Sequence, residues 1–187
     1  MGLSQKITAD RVIADQIFII NEVLSCTLPF AASATTISGT LAVTVTELDL
    51  TIPGSGPVFV TPTIMYQKEL TAAVTAPTFP TPLPATVPLE YKFEIAEPNQ
   101  FFCGITAATI TALGVDPNFV RAEMVRISSV TDAFTITCGS VTPPIVDGTF
   151  TESVTSILKV RLVATEDLIV ALTTANNRFT LPITASC

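Results

Sequence analysis

The sequence contains no histidine and no tryptophan, and only 13% of its 187 residues are charged. Without histidine, Ser-His-Asp and Cys-His arrangements cannot be assembled, and no GxSxG or HExxH pattern occurs. The common hydrolytic machinery is therefore absent. The four cysteines, Cys26, Cys103, Cys138 and Cys187, include no CxxC pair, so with no imidazole available the usual zinc ligand sets are missing. No DxDxDG calcium loop is present; Asp116, Asp132 and Asp147 read as turn residues that bond their own backbone. The run Pro53, Gly54, Ser55, Gly56, Pro57 carries no Lys and opens no helix, so it is a turn and not a phosphate cradle. No metal and no cofactor is expected, and neither is an enzymatic activity.

Positive charge is also scarce. Nine Lys and Arg against sixteen Asp and Glu give a net charge of −7, which repels a phosphate backbone. The cations are dispersed, with Arg121 and Arg126 the nearest to a pair, so neither nucleic acid nor an anionic lipid surface is an expected partner. Long apolar runs are missing as well. The longest uncharged stretch, residues 23–46, holds nine Ser and Thr together with Pro29 and Gly39, and it reads as two strands and a loop, with no membrane insertion. Residues 1–15 include Lys6, Asp10, Arg11 and Asp15 and no apolar core, so no Sec signal is recognisable.

What the sequence has in abundance is threonine, 30 residues of it, interleaved with Val and Ile between Pro and Gly punctuation. Such β-branched residues favour a pleated backbone. The expected fold is all-β, a β-sandwich or jelly-roll of about 8–10 strands, over residues 16–187, preceded by an extended N-terminal arm over residues 1–15. The clearest strand is 89–95, where Leu89, Tyr91, Phe93 and Ile95 alternate with Glu90, Lys92 and Glu94. Within residues 41–52 the apolar phase is odd at Leu41, Val43 and Val45 and even at Leu48, Leu50 and Ile52, which predicts a β-bulge near Thr46. Further strands are expected at 16–28, 58–70, 100–111, 122–130, 133–141, 156–165, 168–174 and 179–184. Hairpin turns are expected at Thr131-Asp132 and Glu166-Asp167, and a short helix from Asp116-Pro117 through Arg121. Residues 76–88 carry five Pro in thirteen positions and no charge, the mark of a semi-rigid strap.

Carboxylate pairs such as Glu47 with Asp49, or Glu166 with Asp167, need facing walls to serve a glycosidase. Glu47 and Asp49 instead share the solvent face of one strand. Cys26 falls in phase with Leu24 and Leu28, and Cys138 with Phe134 and Ile136, positions that suit either buried thiols or an internal disulfide. Cys103 at a strand start and Cys187 at the last position are placed to reach another chain in an oxidising setting.

The stretches ADQIFIINEVLSCTLPF, GPVFVTPTIMYQKEL and PLEYKFEIAEPNQFFCGI resemble surface proteins of Gram-positive endospores, namely coat, exosporium and appendage subunits. That resemblance implies a β-rich structural subunit made in the mother cell, assembled on the spore surface, and oxidised once the mother cell lyses. The chain departs from the appendage subunits in lacking an N-terminal Cys cluster. The expected function is a non-enzymatic subunit that self-assembles into a filament or layer on a spore or cell surface, with copies of itself and other surface-layer proteins as partners. Ile7, Val12 and Ile13 of the arm would add to a neighbour's sheet edge, and Cys103, Cys187, Cys26 and Cys138 are the cross-link candidates. The alternatives are a viral or phage coat, tail or decoration protein, and a carbohydrate-binding module; against the latter stands the shortage of exposed aromatics.

Overall fold

A computed structural model describes residues 3–28, 37–38, 40–73, 86–137 and 148–172. The expected all-β sandwich is what it shows: two antiparallel sheets and one short helix. The strands are β1 (Leu3–Leu28), β2 (Ile37–Ser38), β3 (Leu41–Thr51), β4 (Pro57–Ala73), β5 (Thr86–Ala96), β6 (Gln100–Thr106), β7 (Val120–Thr137) and β8 (Gly148–Leu172). One sheet has the order β1-β8-β7. In the other, β4 is central, with β2 and β3 along one side in a single register and β5 and β6 along the other.

The two central strands carry the core. Inward-facing Phe150, Val154, Leu158, Val160 and Leu162 of β8 meet Val58, Val60, Ile64 and Tyr66 of β4, all of them buried. From the edges, Phe18, Ile20 and Leu24 of β1 and Phe102 of β6 close the layer, with Phe18 and Phe102 edge to face at 5.2 Å. Burial of such side chains is worth about 1.5–3 kcal/mol each. The rows of unpaired edge groups are managed by bulges. Extra residues interrupt the edge strands at Ile13, Thr46, Val125 and Asp132, and the bulge at Thr46 is the one predicted from the phase change.

Several local expectations are corrected. Thr131-Asp132 is not a hairpin turn, because β7 runs straight through it with Asp132 as a bulge. Glu166-Asp167 likewise lies inside β8, paired with Ala9 and Thr8 of β1. Neither dipeptide has the Gly that a two-residue turn favours. The expected strand 100–111 ends at Thr106, where the chain turns into a helix, α1 (Ala107–Ala112). Thr106 caps it: its hydroxyl accepts from the Thr109 amide at 3.1 Å while Thr109 Oγ1 accepts from the Thr106 amide at 2.7 Å. The helix ends at Gly114, whose positive φ of 78° suits the residue after a helix C-cap. Asp116 does cap a helical turn, but a three-residue 3-10 turn, Pro117–Phe119. The N-terminal arm is not separate from the sheet: from Leu3 onward it is part of β1, and Leu3–Val12 pair with Leu172–Val163 of the same chain. Of the strap, Thr86 to Pro88 belong to edge strand β5, where a missing amide is tolerated, and its remainder lies outside the described residues, as does the expected strand 179–184.

Candidate assembly face and buried polar cluster

The period of two along β1 divides its side chains cleanly. Phe18, Ile20, Glu22, Leu24 and Cys26 point inward, and Ile17, Ile19, Val23 and Ser25 point outward. Ile17, Ile19 and Val23 are 59%, 62% and 65% exposed. Ile19 stands opposite half-buried Ile157 of β8, and across the sheet Val130 of β7 is exposed opposite Thr155. Between them are uncharged bonds, Thr155 Oγ1 to Asn21 Oδ1 at 2.8 Å and Ser25 Oγ with Thr151 Oγ1 at 3.3 Å. The result is an apolar and hydroxyl-bearing band on the outer face of the β1-β8-β7 sheet.

One end of this band is charged, with the two signs nearly balanced. Arg161 bonds Asp15 at 3.2 Å, Lys159 approaches the same carboxylate at 3.4 Å, and Arg121 joins Asp10 at 2.7 Å and Glu123 at 2.9 Å. The hydrogen bond from Arg121 holds the Asp10 carboxyl below its usual range, and that from Arg161 does the same for Asp15. With Arg126 also exposed on this side of β7, four cations meet three carboxylates. The face is therefore close to neutral in a chain of net charge −7, and the excess negative charge lies elsewhere.

A polar cluster occupies the interior between the sheets. Lys68 of β4, 6% exposed, places Nζ 2.6 Å from Oε1 of Glu152 on β8, which is fully buried. The Tyr91 hydroxyl of β5 donates to the other oxygen of Glu152, and Phe150 lies under Lys68 with its ring centre 5.8 Å from Nζ. Burial, then the hydrogen bond to Glu152, pushes the Tyr91 phenol upward, so it stays a donor. Two residues along β4, the Tyr66 hydroxyl donates to Glu97 Oε1 and accepts from Ser156 Oγ. Burial pushes the Tyr66 phenol up to about 12. Glu97 is 2% exposed, its Oε2 accepts no hydrogen bond from a donor among the described residues, and burial followed by the nearby Glu22 carboxyl pushes it up to about 7.

At the end of the sandwich, Arg11, Val115, Asp116, Phe119, Thr165 and Glu166 line an open cleft of about 420 Å³. Arg11 bridges Glu166 at 3.1 Å and the Leu113 carbonyl at 2.9 Å, and Phe119 is 65% exposed.

The residues singled out from the sequence are scattered. Val12 is exposed and Ile13 forms the β1 bulge, while Ile7 stands on β1 opposite Leu168. Cys26 faces inward opposite Phe150, where burial raises its thiol pKa. Cys103 is exposed on β6, and its amide donates to Gln16 Oε1 at 2.7 Å. Cys138 and Cys187 lie outside the described residues. Glu47 and Asp49 are both exposed on β3, as expected. Among the described residues, no group of three or more His, Cys, Asp or Glu is arranged to hold a metal ion. The Lys68–Glu152 pair was not singled out from sequence, although Lys68 falls in phase with Val58, Val60, Ile64 and Tyr66, a charge at an inward position.

Comparison with known proteins finds no match, whether to a protein family, a curated protein or a solved structure.

Proposed function

We propose that this chain is a non-enzymatic structural subunit that self-associates through the outer face of its β1-β8-β7 sheet, building a filament or layer on a bacterial spore or cell surface. The observation that carries this reading is the exposed Ile17, Ile19 and Val23 row on a 26-residue edge strand. The chosen partner is a second copy, because a near-neutral face lets two chains of net charge −7 approach without the repulsion their other surfaces impose. Flat β-branched faces also suit sheet-on-sheet packing about 10 Å apart. Since Leu3–Val12 are paired within the chain, arm exchange between copies would be a swap of that part of β1. Exposed Cys103 and Cys187 are the residues proposed to lock neighbours by disulfides once the surroundings are oxidising.

The test is to purify the chain under reducing conditions, remove the reductant, and compare negative-stain electron microscopy with non-reducing gel electrophoresis. Ordered fibres or sheets are expected, with a ladder of linked species. A monomer at all concentrations would sink the proposal. A second reading, a carbohydrate-binding module, draws on Phe119, an exposed aromatic beside the carboxylates of the open cleft. Glycan-array binding lost in Phe119→Ala would favour it.

A further inference from the structure

We propose that Lys68 and Glu152 are the partners of an intramolecular amide cross-link that ties β4 to β8 through the interior of the sandwich. The inference is independent of the assembly reading and stands on geometry. The two residues belong to the central strands of opposite sheets and are separated by 84 positions in sequence, yet their reactive groups touch at 2.6 Å. Both are buried, and the surroundings are aromatic: Phe150 under Nζ, and the Tyr91 and Phe150 rings 5.7 Å apart. A plain ion pair at this position is a costly choice, since desolvation of two charges consumes much of their mutual attraction. Amine and carboxyl held at contact distance in a water-poor site have the high effective concentration that condensation needs.

The step balances without any co-reactant. The Lys68 ammonium passes one proton to Glu152 Oε1 across the short contact, leaving an amine lone pair beside a carboxylic acid. Nζ adds to Cδ, forming the new C–N bond, and negative charge develops on Oε2. The Tyr91 hydroxyl already donates to Oε2, so it stands as the stabilising donor of this intermediate. The second proton then moves from Nζ to Oε1, the Cδ–Oε1 bond breaks, and one water leaves. The product is a secondary amide whose oxygen keeps the Tyr91 hydrogen bond and whose nitrogen retains one proton. An uncharged amide replaces two buried charges.

The experiment is intact mass spectrometry of the full chain, denatured and reduced, taken from material that unfolds cooperatively. The expected mass is lower than that of the sequence by one water. Trypsin should fail to cut after Lys68 and should release a branched species joining residues 12–92 to residues 127–159. Lys68→Arg removes the nucleophile and should restore the full mass, a reading that holds whether or not the variant folds. A folded wild-type chain of full mass that is cut after Lys68 overturns the proposal, as does a water loss that persists in Lys68→Arg.

Discussion

Tyr66 and Glu97 meet inside the sandwich, the phenol of the central strand donating to Glu97 Oε1 across 3.2 Å while Glu97 Oε2 accepts from no donor among the described residues. A buried carboxylate with one oxygen unsatisfied is costly, and a proton removes the charge and gives Glu97 a donor to share with the neighbouring Glu22 carboxyl. Burial first, and then the neighbouring Glu22 carboxyl, raise Glu97 from 4.5 to about 7, against the hydrogen bond from Tyr66, which lowers it. The groups around it on the packed elements are Tyr66 of β4, Ser156 of β8 and Glu22 of β1.

The sign of the resulting pH dependence is fixed. The folded chain holds the Glu97 proton more tightly than the unfolded one, so the contribution is complete below about pH 4.5 and is lost as pH rises through about 7. The full loss is about 3 kcal/mol. Thermal unfolding should occur at a lower temperature at pH 8 than at pH 5.5. Glu97→Gln keeps the shape and is permanently neutral, so it should flatten this slope and stabilise the chain at pH 8. A variant that keeps the wild-type slope would remove Glu97 as its source.

Adjacent residues of β1 should give opposite results. Ile19 is 62% exposed and Ile20 is buried in the core. Ile19→Asp should change unfolding free energy by no more than about 0.5 kcal/mol, as surface substitutions do, while abolishing self-association in sedimentation velocity. Ile20→Asp should fail to fold, because it buries an unpaired charge. If Ile19→Asp assembles as well as the wild type, the interface lies elsewhere.

The same period of two explains what the sequence discloses. Where one face is wet and the other dry, as in Leu89 to Ile95, the alternation identifies the strand and its buried side directly, and the phase slip in β3 places a bulge near Thr46, where the pairing has it. Strand length is less legible. Thr131-Asp132 and Glu166-Asp167 look like turns because polar residues interrupt apolar runs, yet one is a bulge and the other a pair of outer-end ladder positions. Helix α1 is concealed by its Thr and Ile content, although Thr106 and Thr109 at capping-box spacing and Gly114 after Leu113 mark its ends. The buried Lys68–Glu152 pair needs tertiary knowledge, since nothing local brings positions 84 apart together.

Gln16 forms the seam between the two sheets. Its Nε2 donates to the Phe101 carbonyl at 2.8 Å and its Oε1 accepts from the Cys103 amide at 2.7 Å, so one side chain of β1 behaves as a short strand segment against β6. Gln16→Ala should cost about 1–2 kcal/mol in urea unfolding, the net worth of two hydrogen bonds. Gln16→Glu retains only the acceptor and sets a charge against the Phe101 carbonyl, so it should not recover the wild-type value.

Deleting one residue from β3 tests the bulge. Thr46 is the unpaired residue between Val45 and Glu47, and its hydroxyl contacts the Thr63 carbonyl at 3.3 Å and Glu94 Oε1 at 2.9 Å. Removing Thr46 leaves Leu41, Val43, Val45, Leu48 and Leu50 in one unbroken alternation, all directed at the core. The cost should be limited to those two exposed hydrogen bonds, about 1–2 kcal/mol. Removing Thr44 has a different consequence, because Val45 is then carried to the solvent face and Thr46 takes its inward place. A partly buried valine exchanged for a threonine in this way should cost about 1 kcal/mol more, from lost apolar burial and a hydroxyl turned toward the core. Chemical denaturation of the two deletions side by side measures the difference, and equal stability would mean that β3 re-pairs with β4 by some other register.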